Sequence, residues 1–213
     1  MAKTGKSNTE TREVSYADAK VELRANEDGT KIISGQAIVF ERESKPIYGA
    51  YIEVIKRGAL DNANMERVVA RTGHDDRQLL GTTMGETLRL LVTSEALVYD
   101  VDVPDTVAGR DTAVYIERGD IAGSSFAFVP EYRDGGVSWI DRSDEGLLDI
   151  REIHKIKALY DVSPVINPAY TDSSVGLREH KEFREGLDND KEKELRAKSD
   201  TLAAEHEQLK LKR

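Results

Sequence analysis

Three places in this chain hold residues that together could break an amide bond. Residues 119–128 read GDIAGSSFAF, which puts Ser124 and Ser125 in an almost uncharged run of a chain that is 33% charged. A serine attacks an amide only with a base beside it and donors for the oxyanion that forms. Gly123 would let backbone approach a substrate closely. The plain alternative is a pair of small residues filling a tight strand interior. The run is not a G-x-S-x-G elbow, because no glycine follows the serine where the elbow needs one.

His74 follows Gly73 and precedes Asp75 and Asp76 at the end of an apolar stretch. That setting suits a general base, and it suits an ordinary surface-loop histidine as well. In REIHKIKALYDVS, residues 151–163, Glu152, His154 and Asp161 are candidates to orient the imidazole as a third member. Strand alternation puts Glu152 and His154 on one face. Asp161 lies too far along for a simple register argument. The alternative here is a half-exposed strand with polar residues outward.

These side chains need a frame, and the pattern around them is mostly that of short strands. AKVELRAN and KIISGQAIVF alternate on either side of Asp28-Gly29, which reads as a hairpin. Val68, Val69 and Ala70 form a strand leading into Gly73-His74. ETLRLLVTSEALVYDVDVP reads as the strongest strand pair, and TVAGRDTAVYIERGDI as a helix stopping at Gly119. In that helix Ala108, Thr112, Val114, Tyr115 and Ile116 are spaced for one packed face. AGSSFAFVPEYR is a further strand, and the segment 134–170 holds a strand pair and then a strand ending near Pro164 and Pro168. Many short strands with one or two helices predict a mainly β core with peripheral helices, an α+β chain built on a barrel or curled sheet.

Both ends differ from this middle. Residues 1–18 are polar without period and are expected to be a disordered arm. Residues 177–213 are expected to be a charged helical tail from about residue 190, with Asp188-Asn189-Asp190 as a break or cap. Leu195, Leu202, Leu209 and Leu211 give that tail a thin apolar stripe, suited to a coiled coil or to a solvated helix. The expected division is therefore arm 1–18, core domain 19–176 and tail 177–213.

Composition narrows the functional classes. A net charge of −9 makes nucleic acid an improbable partner for the whole chain. No cysteine is present, so disulfides and thiolate chemistry are excluded. No apolar stretch is long enough to span a bilayer, and the N-terminus lacks the apolar core of a secretory signal. His74, His154, His180 and His206 lack metal-ligand spacing, so no metal or other cofactor is expected.

Five segments in order carry a further signal: ISGQAIVFERES, YIEVIKRGALD, GHDDRQLLGTTMGETLRLLVTSEALVYDVDVPDT, YIERGDIAGSSFAF and LYDVSPVINPAYTDSSV. Over residues 20–175 the chain resembles the prohead proteases of tailed phages of the HK97 type. The resemblance implies a serine endopeptidase of capsid maturation, with a β-barrel ringed by helices like that of herpesvirus assemblins. It implies Ser125 as nucleophile, His74 as base and Asp161 as third member, with Glu152 and His154 as alternatives. Ser124 leaves a second hydroxyl to consider, but adjacent strand residues face opposite sides, so only one can meet His74. The chain departs from the family pattern at Gly73 (usually Asn), Ser124 (Met), Ala127 (Gly) and Asp161 (Glu). Oxyanion donors are expected from backbone near Gly123 or from a loop with an arginine such as Arg151.

The implied substrates are the phage major capsid protein, a scaffold protein or scaffolding segment, and the protease itself, inside the assembling prohead in the host cytoplasm. The flexible ends suit self-cleavage, and the tail suits scaffold binding or a homo-oligomer. Two other classes compete: a non-catalytic capsid-assembly module on a protease-like barrel, and a hydrolase of small esters. An intact serine–histidine pair separates the protease from the module. The missing elbow and Gly-rich oxyanion loop weigh against the esterase.

Overall fold

The computed structural model describes residues 9–14, 21–26, 29–166 and 174–211. Alternating apolar and polar residues fold there into twelve strands. They are β1 (Glu10–Val14), β2 (Glu22–Ala25), β3 (Lys31–Val39), β4 (Tyr51–Ile55), β5 (Val69–Arg71) and β6 (Leu79–Thr82). There follow β7 (Leu88–Val92), β8 (Ala96–Asp102), β9 (Gly123–Pro130), β10 (Val137–Ile140), β11 (Asp149–Ile153) and β12 (Ile156–Val165). Helix α1 (Val107–Arg118) stands between β8 and β9, and α2 (Ser174–Leu211) follows β12.

The described strands form three sheets, in the orders β1-β9-β12-β5-β6, β10-β11-β4 and β2-β3-β8-β7. Of the expected barrel or curled sheet, the mainly β character holds and the barrel is corrected: among the described residues the hydrogen bonding does not run round in one closed sheet. Phe126 and Phe128 of β9, Val162 and Leu159 of β12, Ile33 of β3 and Leu97, Tyr99 and Val101 of β8 share one buried apolar cluster.

The hairpin and helix signals correspond to real elements. β2 and β3 pair antiparallel with Ala25 opposite Lys31, and Gly29 has φ 83° in the turn, while Asp28 lies outside the described residues. The Thr106 hydroxyl caps α1 by accepting from the Gly109 amide, and Gly119 ends it at φ 82°. The buried face of α1 is Ala108, Gly109, Thr112, Ala113 and Ile116; Val114 and Tyr115, expected on it, are exposed. A spacing of four residues from Ala108 selects Thr112 and Ile116 and turns Val114 and Tyr115 away.

Three other expectations need correction. The segment taken as a disordered arm contains β1, antiparallel to β9; residues 1–8 and 15–18 lie outside the described residues. The single strand read from residue 151 to 163 is two strands, because the chain turns at His154-Lys155, whose amides both donate to the Gly136 carbonyl. Helix α2 begins at Ser174 and runs through Asp188-Asn189-Asp190 without a break. It belongs to a second unit, residues 174–213, separate from the unit of residues 1–173. Leu195 is exposed on it, and the side chains of Leu202, Leu209 and Leu211 lie outside the described residues. No described helix is long and apolar enough to cross a membrane.

One glycine is required by a close approach. Gly35 of β3 stands opposite Tyr99 of β8, and a Cβ there would lie 2.6 Å from the Tyr99 ring. The ring cannot yield, since Tyr99 is fully buried and its hydroxyl lies 3.1 Å from the Ser124 hydroxyl. Gly35→Ala is therefore expected to destabilise the fold by about 1–3 kcal/mol through overpacking. A thermal or urea unfolding curve against the parent chain measures it.

Candidate active site

The order of the first sheet does most of the positioning. β9 carries Ser125, its neighbour β12 carries Asp161, and β5, next to β12, runs directly into the turn that holds His74. Phe126 and Phe128 face the core, so Ser125 and Ala127 face the other side of β9. On β12, Leu159 pairs with Phe128 and faces the core with it. Asp161, two residues on, would follow Leu159 inward in a regular strand. A register shift between Leu159 and Asp161 leaves Tyr160 out of the pairing, and Asp161 falls opposite Ala127. One bulged residue thus turns the carboxylate to the serine's face. Ser163 then stands directly opposite Ser125.

His74 arrives by a tight 3-10 turn, Thr72–His74, in which Gly73 has φ 61° and His74 φ 60°. A non-glycine residue in this left-handed region costs on the order of 1 kcal/mol or more, and such positions cluster at functional sites. The turn is pinned to α1 by the Thr72 and Thr112 hydroxyls, 2.6 Å apart. The imidazole Nε2 lies 2.6 Å from Ser125 Oγ, and Nδ1 lies 2.7 Å from Asp161 Oδ1. With Nδ1–H directed to the carboxylate, the neutral ring presents Nε2 as acceptor for the serine proton.

Asp161 is fully buried and has two further partners that the sequence did not single out. Ser163 Oγ donates to Asp161 Oδ1 at 2.6 Å and lies 3.3 Å from His74 Nδ1. Arg71 Nε donates to Asp161 Oδ2, and the same guanidinium bonds Asp76. Both were within reach of the sequence. Ser163 is two residues from Asp161 on one strand, and Arg71 is the last strand residue before the histidine turn.

The remaining candidates lie elsewhere. Ser124 faces the core and meets the Tyr99 hydroxyl. Glu152 and His154 do share a surface, as alternation suggested, but it is that of Ser138: His154 Nε2 lies 2.8 Å from Ser138 Oγ and 3.4 Å from Glu152 Oε2. Glu152 also pairs with Lys56. Neither has a bond to His74. Arg151, considered for the oxyanion, is instead buried between two carboxylates: its Nη1 donates to Glu53 and to Glu10, each at 2.8 Å.

That arginine belongs to a buried cluster of four charges, whose β1 members stand opposite Phe126 and Phe128 of β9. Arg151 of β11 stands opposite Glu53 of β4 in the parallel β11–β4 pair. β1 adds Glu10 and Arg12. Arg12 Nε donates to Glu53 Oε1 at 2.6 Å and its Nη2 to Glu53 Oε2 at 2.9 Å, while Nη2 also bonds Glu10. Glu10 takes Arg151 Nη2 at 2.9 Å and the Tyr132 hydroxyl at 2.9 Å. Burial alone would raise the Glu10 carboxyl, but the charges of Arg12 and Arg151 and the bonds from Arg151 and Tyr132 outweigh it and hold it at about 2. The carboxylate of Glu53 and that of Glu10 push the Arg12 guanidinium above its ordinary value against its burial.

The model of the caudovirus prohead serine protease family matches residues 19–186 of the chain. The chain belongs to that family. No curated protein matches it. Among solved structures, the chain is similar to the bacteriophage T4 capsid assembly protease, gp21, at 12% identity and a TM-score of 0.49, over 75% of this chain and 98% of that one. Within the family match lie Ser125, His74, Asp161, Arg71 and Ser163; β1 lies outside it. Gly73, where the resemblance has asparagine, now has a physical reason: both residues tolerate the left-handed φ that this turn demands.

The depressed Glu10 carboxyl ties the seating of β1 to pH. Its folded-state value of about 2 lies below the ordinary 4.5, so its contribution to stability is fully present above about pH 4.5. That contribution falls away as pH drops toward 2. Amide exchange of β1 and of its partner β9 is expected to be slow at pH 6 and, corrected for intrinsic rate, faster at pH 3. Glu10→Gln is expected to flatten this dependence.

Proposed function

We propose that this chain is a serine endopeptidase in which Ser125 is the nucleophile, His74 the general base and Asp161 the orienting acid. The observation that carries the proposal is the continuous chain of contacts from Ser125 Oγ through both imidazole nitrogens to Asp161, at 2.6 and 2.7 Å. Its support lies also in the family match, whose members are serine proteases of the prohead.

His74 Nε2 takes the hydroxyl proton as Ser125 Oγ bonds to a peptide carbonyl carbon. The imidazolium then gives that proton to the departing amine. Asp161 fixes the tautomer and balances the imidazolium charge. Arg71 and Ser163 hold Asp161 in turn, so its carboxylate stays where the ring needs it. Water repeats the sequence on the acyl-serine.

The substrates of this reading are segments of the phage major capsid and scaffold proteins, and the chain itself, cut inside the assembling prohead. Family membership supports that choice. The charged helix α2 is given the role of a scaffold-binding segment, removed by self-cleavage.

Co-expression with the cognate capsid and scaffold proteins tests the proposal by intact mass. Ser125→Ala is expected to abolish new fragments, a loss of at least about 10³-fold in rate. Asp161→Asn is expected to lose about 10³–10⁴-fold by inverting the tautomer. Ser124→Ala is expected to keep activity within about tenfold, since its hydroxyl faces away from His74. If all variants match the wild type and shells still assemble, the chain is an assembly module and the serines are strand filler.

A further inference from the structure

Among the described residues of the family match, β9 has no strand on the side away from β12; β1, from outside the match, occupies that side. A nucleophile on an open sheet edge is a place where an extended peptide adds as a strand, with backbone bonds for affinity and pockets for alternate side chains. β1 is seated in that way. It runs antiparallel to β9 with Glu13 opposite Ser125. Ser125 has no solvent exposure, and its hydroxyl donates to the Arg12 carbonyl oxygen at 2.8 Å. The carbonyl that this hydroxyl meets is the acyl half of the Arg12–Glu13 bond.

The side chains around that bond are matched by charge. Glu53 grips the Arg12 guanidinium through both oxygens, and Phe128 lies under it at 5.7 Å. Arg151 and Tyr132 grip Glu10, two residues before. Apart from β1, the wall consists of one acid and one base, Glu53 and Arg151, which pair at 2.8 Å. A peptide that brings one acid and one base in the order Glu-x-Arg adds no net charge and satisfies both. A peptide with only one of them would leave a charge buried without its partner, which is strongly unfavourable.

We propose that Glu53 and Arg151 form the specificity pocket of this site, that it selects segments of the pattern Glu-x-Arg for cleavage after the arginine, and that β1 is the chain's own occupant. This rests on the serine protease reading. In the reaction Ser125 Oγ bonds to the Arg12 carbonyl carbon, and His74 carries the hydroxyl proton to the Glu13 nitrogen as the C–N bond breaks. Water then opens the ester, restores the hydroxyl and leaves an Arg12 carboxylate and a chain beginning at Glu13. The fuller pattern Glu-x-Arg-Glu occurs in one other place, Glu182-Phe183-Arg184-Glu185, within α2. The shorter pattern Glu-x-Arg also occurs at Glu22-Leu23-Arg24, Glu131-Tyr132-Arg133 and Glu194-Leu195-Arg196. Arg184–Glu185 is the further bond that matches the fuller pattern, open to cleavage once that helix turn unwinds.

The test uses the full chain, as wild type, Ser125→Ala, Arg12→Ala and Arg12→Lys, followed by intact mass and N-terminal sequencing. Wild type is expected to yield a fragment beginning at Glu13, and Ser125→Ala none. Arg12→Ala is expected to lose at least about 30-fold in rate, as for a deleted partner of a buried charge pair, and Arg12→Lys less. Peptides of residues 8–17 and 180–188 are then offered to the Arg12→Ala chain, whose own strand competes less. Both are expected to be cut after arginine, and glutamine in place of the first peptide's Glu10 is expected to lower kcat/KM at least about 30-fold. An Arg12–Glu13 bond that stays intact, or is cut equally fast in Arg12→Ala, overturns the inference. If a mixed peptide library still shows Ser125-dependent cleavage elsewhere, the pocket falls and the protease reading stands. If no peptide is cut and a fluorophosphonate fails to label Ser125, both fall.

Discussion

The pairing of β9 with β12, one residue out of phase at Tyr160, is the constraint on which the site depends. It lets two neighbouring strands keep an apolar face toward the core while placing Ser125, Ser163 and Asp161 together on the other. Everything else in the site is fitted to that plane. β5 lies along β12 and delivers the histidine turn at its end, and α1 holds that turn through one hydroxyl pair. The strain of two consecutive positive φ values is borne by this short, doubly anchored segment.

Charge is handled in two distinct ways around the serine. Asp161 is buried but surrounded by Arg71, Ser163 and His74, so its carboxylate is fully engaged. On the other side, Glu10, Arg12, Glu53 and Arg151 form a cluster of net zero charge with almost no exposure. Such clusters contribute little to stability compared with an apolar filling, but they punish a mismatched partner severely. The first arrangement holds a ring in place; the second fixes the side chains of β1 against β4 and β11.

Much of this was legible in the sequence where local rules decide. The cap of α1 at Thr106, its stop at Gly119 and the β7–β8 pair all follow from neighbours within a few residues. That only one of Ser124 and Ser125 could meet His74 followed from simple alternation, because β9 is regular, and the resemblance pointed to Ser125. Asp161 could not be placed by alternation, because a bulge carries no signature in the residues that flank Tyr160. β1 escaped for a different reason. Its inward residues are Glu10 and Arg12, which read as solvent-facing until partners from β4 and β11, about forty and a hundred and forty residues on, are brought to them. A barrel was expected because short strands in number suggest closure, but strand count does not say which edges meet.

β9 also makes folding and chemistry inseparable in this molecule. Its odd and even positions belong to different tasks, yet both hang on one backbone eight residues long. A change at Phe126 or Phe128 that moves the strand by half an ångström moves Ser125 against a ring held from the far side of β12. On the serine protease reading, errors in the core would surface as lost turnover before they surface as unfolding. Pairs of substitutions across the strand would depart from additivity. On that reading one strand answers to two demands at once, that of the core and that of the site.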